Sequence, residues 1–317
     1  KIAALPHGVY DNVMRVDGYG SPIDIAVTIT VDGNGIGTDF AGTSPPSPKG
    51  INVPLIYTVA YACYGLKCSI APEIPNNAGS LAPFRITAPE GCILNVKHPA
   101  PVAVRHVLGH FVPDAVLGAV HKMLPGKIPA EGSGALWNLH LSARPLGGDD
   151  APDGGGQRAE VLLFNSGGGG ARPGVDGLSA TAFPSGIHTM SIEATEHVGP
   201  VIFWRKELRE GSGGAGKRRG GLGQVVEISA TKGHEFHFNA MFDRVAHPAR
   251  GREGGQDGAP GSVSLDDGTR LQAKGRQHVP AGRRLVLQLP GGGGYGAPAE
   301  REKAAAERDL AFGYVKV

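Results

Sequence analysis

The segment from Gly211 to Lys217 comes closest to a known chemical motif. Gly211, four intervening residues, Gly216 and Lys217 match the first part of a phosphate-binding P-loop. That motif next requires a serine or threonine that binds Mg²⁺ and then a helix, but this chain continues with Arg218, more glycines and a strand pattern. We therefore expect no ATP site here. A tight connection between strands is the favoured interpretation, and an anion site at consecutive N–H groups is the alternative.

Two histidines, His106 and His110, lie four residues apart and would share one face of a helix, as a two-histidine metal site requires. No glutamate completes an HExxH pattern. Asp114 lies one turn further along, but it follows Pro113, which disturbs helix geometry. The pattern favours hydrogen-bonded structural histidines over metal ligands, so the metal ligands of the chain stay unknown.

The glycine run GGGGARPGVDG, Gly167–Gly177, contains two charged residues, Arg172 and Asp176. Consecutive glycines let a backbone approach a ligand closely and present N–H donors. A guanidinium can hold a phosphate or a carboxylate through two parallel hydrogen bonds. We predict that this loop faces the reaction site. A tight turn at Pro173 and Gly174 would bring Arg172 and Asp176 together, so a purely structural pair is the alternative.

Other carboxylates also stand where chemistry is possible. Asp39 ends a strand pattern and precedes a rigid Gly/Thr/Pro loop, which suits a site residue, although capping a turn is the commoner role of such an aspartate. Glu193 and Glu196 could form an acid–base pair only if SIEATEH is helical, because a strand would place them on opposite faces. No GxSxG nucleophile elbow is present.

Composition excludes several classes of protein. The chain has 317 residues, 51 of them glycine, with 40% hydrophobic residues and a net charge of +2. Because so weak a charge does not provide the clustered basic face that nucleic acids require, we predict no nucleic-acid partner. No apolar stretch approaches the ~20 residues of a membrane span, so we predict no membrane partner. The three cysteines fit no metal spacing and are interpreted as reduced thiols of a cytoplasmic protein.

The patterning predicts an α+β fold that is β-rich with glycine-rich loops and has two buried helices in the N-terminal third. We expect a hairpin at residues 23–36 and helices at 54–67 and 102–123, the second kinked or split by Pro113. Further strands are predicted at residues 84–87, 160–164, 201–208, 225–230, 234–242 and 284–289, a tail helix at 299–310 and a flexible loop at 147–157. We divide the chain into a hairpin-plus-helical part, residues 1–133, and a β-rich part, residues 134–317.

Glycine- and proline-rich segments recur along the chain in an order that resembles the hydantoinase B/oxoprolinase family, which includes the B-type subunits of N-methylhydantoinases. The matching segments are Ala4–Tyr10, Asp39–Pro54, Ile74–Asn95, Leu124–Gly134, Gly167–Gly177, the region of Glu193–Glu196, Ser212–Gly223 and Pro290–Pro298. The resemblance is to the C-terminal portion of that family, whose members carry a longer N-terminal half with His- and Asp-bearing motifs.

That resemblance implies an ATP-dependent enzyme shared between subunits. A hydantoinase A-type partner with an actin-like kinase fold would use ATP and Mg²⁺ to phosphorylate the oxygen of a cyclic amide or imide. The B-type subunit would host the second half-reaction on this small-molecule substrate. We expect a cyclic amide hydrolase that is active only with partner chains. A subunit of a ketone carboxylase and a non-catalytic assembly module are the alternatives.

The resemblance also implies site residues and a further partner. The residues at matching family positions are predicted as catalytic, Asp39, Arg172 and Asp176, or as substrate-binding, Thr43, Asn52, Asn77 and Arg105. A separate chain is expected to supply the N-terminal half of the family domain. A divalent metal would be held mainly by residues absent from this chain.

Overall fold

A mixed sheet near the N-terminus contains β1 (Gly8–Val16), β2 (Ile23–Val31), β3 (Ile36–Asp39) and β4 (Phe84–Thr87), in that order. The computed structural model describes residues 1–134, 136–147, 158–181 and 183–315. β2 and β3 are antiparallel, with Val31 opposite Ile36, and Asp32 caps the turn by accepting a hydrogen bond from the N–H of Asn34 at 2.9 Å. The predicted hairpin and the strand at residues 84–87 are confirmed.

Strand β1 was not predicted because its two faces have the reverse of the usual polarity. Val9 and Val13 are exposed, whereas Asn12 faces inward and donates a hydrogen bond to the carbonyl of Ala115 at 2.9 Å. Only the last part of the strand, with Met14 and Val16 buried, shows the alternation that marks a half-buried strand.

Helices α1 (Leu55–Ile70), α2 (Ala78–Leu81), α3 (His106–Gly109) and α4 (Val112–Met123) accompany this sheet. α4 packs on β1, on β2 and against α1. Pro113 lies in the first turn of α4, where its missing N–H leaves no helical hydrogen bond unmade. Both predicted helices are therefore present; the second begins at His106 rather than Val102 and is split into α3 and α4 at His110 and Phe111, just before Pro113.

Two further four-stranded sheets are antiparallel throughout, with the orders β11-β9-β5-β6 and β10-β12-β8-β7. Their strands are β5 (Leu136–Pro145), β6 (Ala159–Ser166), β7 (Val201–Leu208), β8 (Gln224–Ala230), β9 (His234–Met241), β10 (Ser262–Leu265), β11 (Lys274–Val279) and β12 (Arg284–Gln288). Helices α5 (Ile192–Val198) and α6 (Lys303–Ala311) complete the chain. The α+β class and the predicted strands of this region are confirmed.

Two of the strands that sequence reasoning missed, β5 and β11, show no clear period of two, and the missed β10 is only four residues long. The first four residues of β5 are all buried, and β11 is almost entirely polar and is held by its backbone pairing with β9. The tail helix begins at Lys303 rather than Ala299. The predicted flexible loop lies, from residue 148 onward, outside the described residues.

One hydrophobic core connects the sheets and includes Ile25 of β2, Leu66 of α1, Val116 of α4 and Phe238 of β9. The parts on either side of the predicted division at residue 134 therefore share this core, and the division itself stays a prediction. No helix within the described ranges is both long and apolar enough to cross a membrane.

Glycine runs from distant parts of the chain pack directly against one another. The N–H of Gly221 donates to the carbonyl of Gly169 at 2.8 Å, and the N–H of Gly292 donates to the carbonyl of Gly221 at 3.0 Å. A Cβ atom at Gly168 would lie 1.8 Å from the carbonyl oxygen of Gly221, so only glycine permits this packing. The N–H groups of Gly168, Gly169 and Ala171 are not available to a ligand, because they donate to carbonyls of the chain itself.

Candidate active site

A cavity of about 540 Å³ opens where α1, α4 and the first glycine run meet. α1 contributes Tyr64 and α4 contributes Asp114 and Leu117. The remaining walls come from Pro129, Ala130 and Gly132, from Gly169, Gly170 and Arg172, and from a third segment, Leu178, Ala180, Thr181, Phe183, Pro184, Gly186, Ile187 and His188. We call this cavity the Asp114 pocket. Its volume lies within the range of small-molecule sites.

Asp114 forms the buried end of this pocket. It lies in the first turn of α4 with only 3% of its surface exposed, and its Oδ2 atom has no hydrogen-bond partner among the described residues. Burial and the nearby charge of Glu131 raise the pKa of Asp114 to about 7, against the opposing effects of Arg244, Arg252 and the N–H of Gly132. A group of this kind can both give and accept a proton near neutral pH.

Glu131 beside it is kept charged by two arginines. Arg250 donates through Nε to Glu131 Oε1 at 2.6 Å, and Arg244 Nη1 lies 3.2 Å from Oε2. Although burial opposes it, these guanidinium groups hold the pKa of Glu131 below its usual range. Arg244 also donates to the carbonyls of Gly132 and Ser133, each at 3.2 Å, and so fixes the wall segment next to Asp114. Two neighbouring buried carboxyl groups thus prefer different protonation states.

Arg172 lies at the exposed edge of the pocket. The predicted tight turn is present, because the N–H of Arg172 donates to the carbonyl of Val175 at 2.9 Å and the reverse bond measures 3.3 Å. No side-chain hydrogen bond or ion pair engages the Arg172 guanidinium within the described part of the chain. Its five donors are therefore available to a ligand.

Asp176 pairs with a residue other than Arg172, which corrects the structural alternative considered from the sequence. Arg301 donates to both carboxylate oxygens of Asp176 at 2.9 Å, and the N–H of Arg219 donates to Oδ1 at 2.8 Å. Although burial opposes it, these bonds hold the pKa of Asp176 below its usual range. Asp176 is absent from the pocket lining and anchors the turn that carries Arg172.

Three residues of the first predicted site loop lie outside the pocket lining. Asp39 Oδ1 accepts hydrogen bonds from Thr87 Oγ1 at 3.0 Å and from the N–H of Ala41 at 3.3 Å, the geometry of a turn cap. Thr43 Oγ1 donates to the carbonyl of Ala26 at 3.1 Å. Asn52 is fully buried and its amide bonds only backbone groups. A site role for these residues stays a prediction.

The two remaining predicted binding residues also lie outside the pocket lining. Asn77 caps α2, where its Oδ1 accepts from the N–H of Ser80 at 2.9 Å. Arg105 precedes α3 with its guanidinium 6.0 Å from the ring centre of Tyr57. The structure therefore brings Arg172, out of the seven predicted residues, to the pocket, while the substrate-binding roles of Asn77 and Arg105 stay predictions.

His106 and His110 are adjacent, with ring centres 5.8 Å apart. The Nε2 atom of His106 lies 2.7 Å from Asn138 Nδ2, and His110 stacks against Tyr61. Burial lowers the pKa of both histidines, that of His110 to about 4. Among the described residues no three His, Cys, Asp or Glu side chains are arranged to hold a metal ion, so the residues present do not form a metal site.

The other candidate motifs have structural roles as well. Lys217 pairs with Glu300 at 3.0 Å, and Arg218 continues into a backbone bridge with Tyr295 instead of a helix. SIEATEH is helical, but the Glu196 carboxylate accepts the N–H of Phe203 at 2.7 Å. Neither segment contributes to the Asp114 pocket.

Sequence reasoning missed Asp114 as a site residue. Pro113 was a reason to discount it, whereas the structure shows that Pro113 starts the helix whose first turn presents Asp114 to the pocket. An aspartate directly after a proline at a helix start was the available signal, but helix N-termini carry such residues for capping alone.

A pocket of this volume that is partly open to solvent is typical of small-molecule sites, and the family follows from comparison. Residues 1–298 match the family model described as Hydantoinase B/oxoprolinase, and the chain belongs to that family. It is 32% identical to a protein of Pseudomonas sp. (strain NS671) assigned as the B-type subunit of a D-/L-hydantoinase, over 99% of this chain and 55% of that protein. It is 34% identical to 5-oxoprolinase 1 of Arabidopsis thaliana, over 88% of this chain and 21% of that protein.

Solved structures share the fold. An ATP-dependent caprolactamase from Pseudomonas jessenii superposes with a TM-score of 0.78 at 22% identity, over 100% of this chain and 56% of that one. Nucleotide-free acetone carboxylase superposes with a TM-score of 0.77 at 16% identity, over 99% of this chain and 48% of that one. The chain thus spans about half the length of these proteins and of its Pseudomonas relative.

Proposed function

We propose that this chain is part of the B-type subunit of an ATP-dependent enzyme that opens cyclic amides or imides, and that the Asp114 pocket hosts the step after phosphorylation. The observation that supports this function is the unpaired Arg172 guanidinium at the edge of a pocket whose buried end is the Asp114 carboxyl. A cation there suits a phosphorylated substrate, and the carboxyl suits proton transfer.

The walls of the pocket fit the rest of such a substrate. Tyr64, Leu117, Leu178 and Phe183 offer apolar surface, and the rings of Tyr64 and Phe183 lie 5.8 Å apart. A ring of methylene groups would pack there while its phosphorylated oxygen meets Arg172. Phosphorylation of the amide oxygen activates the amide carbon towards water, so the site has to position water, stabilise the developing charge and assist departure of the ring nitrogen.

ATP and Mg²⁺ enter this proposal through a partner. The segment that resembles a P-loop is occupied by internal contacts, which fits phosphorylation by a hydantoinase A-type subunit with a kinase fold. The part of the family domain that this chain does not span would supply any divalent metal. We propose that turnover requires both partners and takes place in the cytoplasm.

Steady-state kinetics of the complete assembly test this function. Hydantoin, 5-oxoproline and caprolactam are each supplied with Mg-ATP, and ring-opened product is counted against released phosphate. Arg172→Lys keeps the charge but cannot form a bidentate hydrogen-bonded contact with the phosphoryl group, so turnover is expected to fall about 30- to 1000-fold. Arg276→Lys, at an exposed arginine of β11 outside the pocket, is the control and should change nothing.

Ketone carboxylation is the second candidate, because acetone carboxylase shares the fold with a TM-score of 0.77, close to the 0.78 of the caprolactamase, although at lower identity. Labelled bicarbonate distinguishes the two reactions: incorporation into a ketone without amide opening would replace hydrolysis by carboxylation. A non-catalytic assembly module predicts a third pattern, in which Arg172→Lys leaves turnover unchanged.

A further inference from the structure

One pocket-lining residue has a buried side-chain polar atom that no described group satisfies, and it is Asp114. An acceptor left unpaired in a buried site costs free energy, so native proteins retain few of them. Asp114 lines the pocket, its Oδ2 atom is buried and unpaired, and its carboxyl is also held by the N–H of Gly132. The carboxyl therefore lies at the pocket wall without a full set of hydrogen-bond partners.

We infer that Asp114 is the proton-transfer residue of this pocket and delivers a proton to the ring nitrogen as the amide C–N bond breaks. This inference rests on the proposed function and deepens it by assigning a catalytic group. Nitrogen is a poor leaving group unless it is protonated, so ring opening needs an acid at this position.

Asp114 gives up one proton and regains one proton during ring opening. Water has first added to the phosphorylated amide carbon, which then bears a hydroxyl group, a phosphate ester oxygen and the ring nitrogen. Neutral Asp114 gives its proton to nitrogen, and the electron pair of the C–N bond stays on nitrogen. The hydroxyl group loses its proton to the new Asp114 carboxylate as the C=O bond forms. Asp114 is neutral again, and the product is an open-chain amine with an acyl phosphate that a second water hydrolyses.

The charges around Asp114 support this role. Glu131 faces it as a negative charge, held by Arg244 and Arg250, while Arg244 and Arg252 oppose the effect of Glu131. Arg252 is tied to the carbonyl of Leu117 at 3.1 Å. Arg172 and His188 complete the charged or titratable groups of the pocket lining, together with Tyr64. With burial, the result is a carboxyl with a pKa of about 7, while Glu131 stays charged; environments that separate two carboxyl groups in this way mark acid–base sites.

The test compares Asp114→Asn with the control Asp243→Asn in the complete assembly, each with a lactam, Mg-ATP and a pH series from 5 to 9. Asp243 is also buried, but it pairs with Lys274 at 2.8 Å and lies outside the pocket lining. Asp114→Asn should reduce ring opening about 10²- to 10⁴-fold, while the thermal midpoint at pH 5 is kept and the loss of rate near pH 7 to 8 that marks the neutral acid disappears. Asp243→Asn should lower the thermal midpoint and keep the wild-type pH profile.

The possible outcomes separate the role of Asp114 from the proposed function. Ring opening by Asp114→Asn within tenfold of wild type, or an unchanged pH profile, would overturn the inference and leave the proposed function standing. A large loss with the pH limb abolished and the fold intact would establish it. A wild-type assembly that opens no cyclic amide would instead refute the proposed function, and this role of Asp114 with it.

Discussion

Asp176 and Arg301 join the first glycine run to the C-terminal segment through two hydrogen bonds of 2.9 Å each, across 125 residues of sequence. Arg301 also pairs with the buried Asp309 of α6, and Asp309 lies 3.4 Å from Arg219 Nε. The turn that presents Arg172 is therefore held from the outside by the last helix, although no residue of that helix lines the Asp114 pocket.

Replacing Arg301 by Lys should loosen the Arg172 turn. Lysine cannot bond both carboxylate oxygens in the planar geometry of a guanidinium, so we expect a loss of about 1–3 kcal/mol in the free energy of unfolding and a rise in KM. Thermal unfolding and steady-state kinetics of the complete assembly measure the two effects. A lower thermal midpoint with unchanged KM would show that the anchor serves stability alone.

Lys217→Ala should leave ATP consumption by the complete assembly unchanged. Lys217 forms a surface ion pair with Glu300, and such pairs contribute less than about 1 kcal/mol. Isothermal titration calorimetry of this chain with Mg-ATP, without the A-type partner, should give no binding heat. Micromolar binding that disappears in Lys217→Ala would mean that a P-loop is present after all.

Gly168→Ala should destabilise the chain severely, because its Cβ would lie 1.8 Å from the Gly221 carbonyl oxygen and the contacting atoms are backbone. We expect a loss of more than about 3 kcal/mol, or failure to fold. Gly174→Ala is the matched control in the same run, since its Cβ would meet nothing within 4 Å. That variant should stay within about 1 kcal/mol of wild type in chemical denaturation. Equal effects of the two substitutions would contradict the interlocked packing.

Asp114→Asn should change how stability depends on pH. The folded-state pKa of about 7 lies above the ~3.9 of an unfolded aspartate, so the proton stabilises the folded chain fully below pH 4 and ceases to do so as pH rises through 7. Wild type should therefore lose about 3 kcal/mol relative to Asp114→Asn between pH 5 and pH 8. Thermal midpoints of both proteins across that range supply the comparison, and parallel curves would show that Asp114 is an ordinary ionised carboxylate.

Local patterns in the sequence were enough for most of the secondary structure. Alternation in β2 follows from one buried face, and Pro113 can occupy the first turn of a helix but not its interior, because its ring lacks an N–H in any fold. The order of the glycine-rich segments was enough for the family. These signals depend only on residues close together in the chain or on segments in a fixed order.

Tertiary structure alone decided which residues form the candidate site. Asp114 owes its raised pKa to burial and to Glu131, against Arg244 and Arg252, and these three residues follow it by 17 to 138 positions in the numbering. Arg172 and Asp176 are four residues apart, yet one faces the pocket and the other binds Arg301. The glycines that suggested a ligand loop pack against one another, although Gly169 and Gly170 also line the pocket. Burial, charge environment and hydrogen bonding depend on residues that are neighbours in space. Local sequence patterns therefore do not predict them, because the neighbours come together only when the chain folds.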